Sequence, residues 1–120
     1  MNNQRTSTQI LQEILQTQGI TAAIIVGRDG FIIESAGSLR NVNIDMLGAS
    51  VALMLSGSER MGSEMNLPGF KILTLEFNDA MVMCEPIANA LLVIMSPDSK
   101  TLGMIRLQVR KHIPELEQMF

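Results

Sequence analysis

Ala22-Ala23-Ile24-Ile25-Val26-Gly27-Arg28-Asp29-Gly30-Phe31-Ile32-Ile33-Glu34-Ser35 is the stretch on which the fold turns. Two apolar runs flank a short polar turn whose glycines permit positive φ and whose Asp29 can close an Asx turn, so the segment predicts a β-hairpin. Neither run alternates. A strand with one wet face shows apolar and polar residues in turn, whereas Ile24-Ile25-Val26 and Phe31-Ile32-Ile33 are continuous, as are Met81-Val82-Met83-Cys84 and Leu91-Leu92-Val93-Ile94-Met95. Such runs predict a sheet covered on both faces.

Upstream of the hairpin, Thr6-Ser7-Thr8-Gln9 has the capping-box spacing and opens a helix with Ile10, Leu11, Ile14 and Leu15 on one side, stopped by Gly19 in the C′ role. Downstream, a polar loop over 36–42 leads to Asn43, an N-cap with Asp45 in the favourable first turn of a long middle helix over 44–65. Pro68-Gly69 comes after it. Strands are predicted over 70–77, 81–85 and 91–95, joined by connections short enough for an antiparallel meander. Ser96-Pro97-Asp98-Ser99 then starts a last helix through Leu102, Ile105, Val109 and His112, with Arg106, Arg110 and Lys111 near the end where cations suit the dipole. Pro114 should kink or end it. The expected fold is therefore α/β (α+β): a three-layer α/β/α sandwich on a five-stranded antiparallel sheet, in the order α-β-β-α-β-β-β-α. A single domain over 1–120, with an ordered core of about 6–113, accounts for all 120 residues.

Composition narrows the function. Hydrophobic residues make up 47% of the chain and the net charge is -3, with ten Met beside four Phe and neither Trp nor Tyr. Nucleic acid is gripped by basic grooves and stacking rings, and this chain is short of both. One Cys and one His are too few for a zinc site or a CxxC pair, so no metal or other cofactor is expected. The opening MNNQRTSTQ is polar where a signal peptide is apolar, and the nearly uncharged stretch 46–58 is too short to span a bilayer, which needs roughly 20 residues. The expectation is a cytoplasmic protein with no membrane insertion.

The middle helix is the informative element. Ile44, Leu47, Gly48, Val51, Leu55 and Ser58 form the stripe expected to face the sheet. The opposite side carries Met46, Ala49, Ala52, Leu53, Ser56, Gly57 and Arg60, with Met54 and Met61 on the flank, where solvent would favour Lys, Glu and Gln. A helix apolar all round is normally buried all round. Its small residues let another backbone approach, and the simplest partner is a second copy across a two-fold axis. If strand 70–77 lies at the sheet edge, Phe70, Ile72 and Thr74 can extend that pairing. The competing reading is a monomer in which loop 36–42 or the N-terminal tail folds over the helix.

With this element order, Gly19-Ile20-Thr21 running on through the hairpin to Ile33 resembles the first hairpin of the Roadblock/dynein light-chain family. Ser99-Lys100-Thr101-Leu102-Gly103-Met104-Ile105-Arg106-Leu107 is similar to that family's opening of the last helix. The likeness covers about 6–113, extends to the Roadblock/profilin-like fold, and is strongest to bacterial stand-alone members that pair with a Ras-like GTPase, the gliding-motility GTPase-activating type among them. It implies no catalytic site in this chain but a homodimeric regulatory platform that binds a small Ras-like GTPase, and it leaves open whether GTP hydrolysis is stimulated. Residues 44–65 and 70–77 become the dimer helix and dimer strand. The dimer contacts then fall on Ala49, Ala52, Leu53, Ser56, Arg60, Phe70, Ile72 and Thr74. The GTPase contacts fall on Met46, Ser50, Met54, Gly57, Met61 and Glu64, with Leu53 and Arg60 open to both roles. Methionine suits such a surface because an unbranched thioether repacks against a changing partner. Met81, Met83, Met95 and Met104 read instead as core filler.

Two other function classes stay open: a passive dimeric scaffold or motor-cargo adaptor, and a small-molecule sensor built on the helix-flanked sheet. Direct chemistry is poorly provided for. Gly57 to Ser63 has P-loop glycine spacing but no Lys, and it lies inside a helix. Cys84 and His112 could pair as nucleophile and base, although Cys84 sits in an apolar run that reads as a buried thiol. Arg28, at the hairpin tip, could act as an arginine finger or simply be solvated. Glu34, Asp79 and Glu85 occupy strand ends and turns, and suggest no acid/base pair.

Overall fold

The structure, a computed structural model, describes residues 5–120. Its elements are α1 (Ser7–Ile14), β1 (Ala22–Gly27), β2 (Ile32–Gly37), α2 (Ile44–Glu64), β3 (Leu73–Glu76), β4 (Met81–Ile87), β5 (Ala90–Ser96), α3 (Leu102–Arg110) and α4 (Ile113–Glu117). The strands form one antiparallel sheet in the order β2-β1-β5-β4-β3, with β1, β5 and β4 inside and β2 and β3 at the edges. Both faces of the inner strands are buried, as their unbroken apolar runs require. Ala23, Ile25, Met83, Leu92 and Ile94 point to one face, where Ile10, Leu11 and Ile14 of α1, Ile105 and Val109 of α3 and Leu116 of α4 meet them. Ile24, Val26, Cys84, Leu91 and Val93 point to the other, under Val51 and Leu55 of α2.

The helix starts obey side-chain chemistry close at hand. Thr6 accepts from the Gln9 amide at 3.2 Å while its own amide donates to Gln9 Oε1 at 2.8 Å, completing the capping box. Asn43 Oδ1 accepts from the Met46 amide at 3.2 Å. At the far end of α2, Asn66 adopts φ 58, and the Leu67 and Asn66 amides donate to the carbonyls of Gly62 and Ser63 in a Schellman closure.

Several boundaries depart from expectation. Helix α1 ends at Ile14, before Gly19, whose φ of 96 instead closes the turn into β1. Residues 70–72 do not join β3: extending the register that sets Leu73 against Cys84 would place Lys71 opposite Pro86, which has no N–H for the ladder. The last helix does break ahead of Pro114, but a second one follows: α3 ends at Arg110, and Pro114 sits in the first turn of α4, where a helix needs no partner for that nitrogen. Leu116 of α4 is fully buried, so the core runs beyond 113. Strand β2 is not covered on both faces. Val26 pairs with Ile32 and Ile25 with Glu34, which leaves Ile33 bulged out of register and 46% exposed, and Phe31 precedes the strand at 75% exposed.

The α2 face is pinned by one close approach. Gly30, at φ 92, lays the β1–β2 turn directly on α2, where a Cβ on Gly48 would collide with the Gly30 carbonyl oxygen and stand 3.0 Å from Ile32 Cδ1. Backbone cannot yield as a flexible side chain can. Gly48→Ala should therefore destabilise the protein by about 1–3 kcal/mol despite the better helix propensity of alanine, read as a lower midpoint in urea unfolding. An unchanged or raised midpoint would show that the turn and helix are not in contact.

Candidate docking surface

Helix α2 uses Gly48, Val51 and Leu55 for the sheet, with Leu47, Met54 and Ser58 half-buried beside them. The remaining surface is open. Met46 is 67%, Leu53 74% and Met61 57% exposed, and Ala49, Ser50, Ser56, Gly57, Arg60 and Glu64 are exposed around them. Ala52 is half-buried at the margin, and Met54 leans into the α2-side core rather than standing clear. Loop 36–42 does not cover this surface, since Leu39 packs beneath the helix with the sheet-side core. Residues 1–4, the other cover considered, lie outside the described residues. A Cβ at Gly57 would meet nothing within 4 Å, so among the described residues no contact accounts for a helix-interior glycine that costs about 1 kcal/mol relative to alanine.

Charge is sparse and self-paired there. Arg60 Nε lies 3.4 Å from Glu64 Oε1 one turn on, and Arg28 Nη1 reaches across from the hairpin to Glu59 Oε1 at 3.1 Å. Arg28 thus stays open to solvent while pairing with Glu59 at the surface between hairpin and helix.

The edge strand β3 continues the surface. Thr74 is exposed on it, pairing toward β4 and leaving the opposite side of the strand unpaired. Phe70 and Ile72 precede the strand and are half-buried, Phe70 against the α2-side core and Ile72 against the other. Between the end of α2 and β3 lies an open groove of about 880 Å³, with Met61, Met65, Leu67, Phe70 and Leu73 among its walls. Met65 and Leu67, 53% and 60% exposed, extend the apolar surface beyond the dimer and GTPase contacts that the resemblance implies. The signal was there in two apolar residues placed just ahead of Pro68-Gly69.

The remaining chemical candidates separate. Cys84 lies on the α2 face of the sheet, whereas His112 stands at the start of α4 on the opposite one, so they cannot act as a dyad. Burial pushes the Cys84 thiol up to about 11, which suppresses the nucleophilic thiolate. Among the described residues no group of three or more His, Cys, Asp or Glu could hold a metal ion. Among the described residues no helix is long and apolar enough to cross a membrane either.

A five-stranded antiparallel sheet under a long helix with an exposed apolar face has counterparts among known proteins. The sequence profile of the Roadblock/LC7 domain matches residues 6–96. The chain belongs to the Roadblock/LC7 family. This Roadblock protein is 26% identical over 112 residues to an uncharacterised protein of Methanocaldococcus jannaschii, covering 93% of this chain and 94% of the relative. Its fold is similar to that of Myxococcus xanthus MglB, with a TM-score of 0.87 at 19% identity over 97% of this chain and 98% of that one. A structure of MglB in a tetrameric arrangement matches at a TM-score of 0.83 and 19% identity, covering 92% of this chain and 84% of that one. At such identities the likeness establishes the Roadblock fold.

Burial of the single thiol gives a direct check on the sheet's α2 side. Only about a thousandth of a thiol with a pKa near 11 is ionised at pH 8, so iodoacetamide should leave Cys84 unmodified in the folded protein and alkylate it in urea, as read by mass. Labelling of the folded protein at the rate of a free cysteine would mean that α2 does not seal this face.

Proposed function

We propose that this Roadblock protein is a homodimeric regulatory platform for a small Ras-like GTPase in the cytoplasm. The carrying observation is α2, whose outer face presents Met46, Leu53 and Met61 to solvent in a helix uncharged from 46 to 58. Two copies of α2 packed side by side would bury that face, with Ala49, Ala52, Ser56 and Gly57 permitting close approach and Arg60 at the rim. Two β3 edges, paired through the backbone around Thr74, would join the sheets, with Phe70 and Ile72 flanking the junction. The ridges of the helix pair, with Met46, Ser50, Gly57, Met61 and Glu64 and the half-buried Met54 at their foot, would then receive the GTPase. Family membership and the MglB-like fold support a regulator or dimeric scaffold over an enzyme.

The protein need not supply a catalytic group to alter hydrolysis. A platform that binds one conformation of the GTPase better than another shifts the population toward it, and can so order the GTPase's own catalytic residues. Arg28 is not assigned a catalytic role, being paired with Glu59.

Leu53→Glu places a charge at the centre of the proposed helix pair. It should cost about 3 kcal/mol of association, roughly a hundredfold in the dissociation constant, with the folded mass on light scattering falling from two chains to one. A monomeric wild type, or a variant of unchanged mass, overturns the dimer. In a turnover assay with a small Ras-like GTPase that binds the protein, saturating amounts should raise GTP hydrolysis. Unchanged turnover in a formed complex would leave the passive scaffold or cargo adaptor as the function.

A further inference from the structure

Met104 is not the core filler its sequence context suggests. Helix α3 turns Ile105 and Val109 inward with Leu102 packed partly beside them, which swings Met104 and Leu107 to the far side, 55% and 59% exposed. On that side a Cβ at Gly103 would meet nothing within 4 Å. The outer surface of α3 therefore pairs two large apolar side chains with a bare stretch of backbone, on the opposite face of the sheet from α2.

The charge around it is one-sided. Lys100, Arg106, Arg110 and Lys111 are four of the nine Lys and Arg residues in a chain of net charge -3, and no carboxylate lies between Asp98 and Glu115. None of the four is in an ion pair among the described residues. The acidic groups nearby are few. Glu85, half-buried on β4 with Glu117 near it, feels both Arg106 and Arg110 without pairing with either, and Glu115 is taken by Arg5. Cations around exposed Leu and Met complement an acidic segment that carries large apolar side chains of its own.

We propose that the outer face of α3 is a second protein-docking site, which takes an acidic amphipathic segment of a partner. Leu107 and Met104 supply the apolar contact, Gly103 the room for it to approach, and Arg110 and Lys111 the charge that orients it. A lipid surface fits less well. Interfacial helices sink a whole apolar face into the membrane, whereas α3 has already committed its inner stripe to the core and keeps two apolar side chains outside. The site is separate from the α2 surface and does not depend on it.

The test uses the full-length protein, isotopically labelled for amide NMR at low salt, and two synthetic helical peptides in which Leu at i, i+4 spacing is surrounded either by Glu or by Lys. The Glu peptide should shift amides within 100–111 saturably, and the Lys peptide should not. Arg110→Glu with Lys111→Glu should weaken Glu-peptide binding at least about tenfold, and Leu107→Ala should weaken it while leaving the amide spectrum folded. Leu53→Glu, which tests the α2 surface, should leave this binding intact. The assignment is overturned by an absence of shifts at millimolar peptide, by shifts that map to α2, or by binding that survives the double charge reversal. Sedimentation of the wild type with phosphatidylserine vesicles in the absence of peptide binding would overturn it in favour of a membrane.

Discussion

Burying one whole face of a five-stranded sheet under a single helix is the constraint on which the rest of this structure depends. Ile24, Val26, Leu91, Val93 and Cys84 have α2 above them, while three helices share the opposite face. A lone helix must be long to do this, and α2 runs for 21 residues. It must also sit close, which the Gly30–Gly48 approach allows. Having met both demands with the stripe of Gly48, Val51 and Leu55, the helix has an outer half unconstrained by the fold. That half carries Met, Leu and small residues, with no charge between Met46 and Ser58.

What could be read from the sequence was whatever a residue settles with its near neighbours. The Thr6–Gln9 capping box and the Asn43 cap join groups only three residues apart, and both are present. The two-sided burial of β1 and β5 was legible because a continuous apolar run has one cheap explanation. Features that depend on a partner far along the chain were not legible. The length of β3 depends on Pro86 across the ladder, and the exposure of Ile33 on a register shift that only the pairing with β1 reveals. Whether a proline ends one helix or starts the next is decided by the residues C-terminal to it, and beyond Pro114 the chain found a place in the core for Leu116.

The methionines show the same divide. Met81 and Met83 are buried in β4 and Met95 is half-buried in β5, as their strand runs suggest. Met46, Met61 and Met65 stand on α2 or at its end, and Met104 joins them as an exposed residue because α3 takes its phase from Ile105 and Val109. Composition flags an excess of thioether, but only the phase of each element separates packing material from contact surface. The consequence is a molecule with opposed outer faces of different chemistry: α2, where charge is sparse and paired within the protein, and α3, where cations lie unpaired around a smaller apolar patch.

The bulge at Ile33 has a bearing on assembly size. An unblemished five-stranded sheet offers two edges, and a unit that adds a neighbour at each can grow without limit into a fibre. Here the β2 edge is thrown out of register and tied down by the Thr8 hydroxyl on Glu34 at 2.7 Å, so β3 is the edge left smooth. A building block with one usable edge terminates after a single addition. Strand pairing through β3, as proposed above, would thereby be self-limiting, closing at two sheets joined into one rather than propagating.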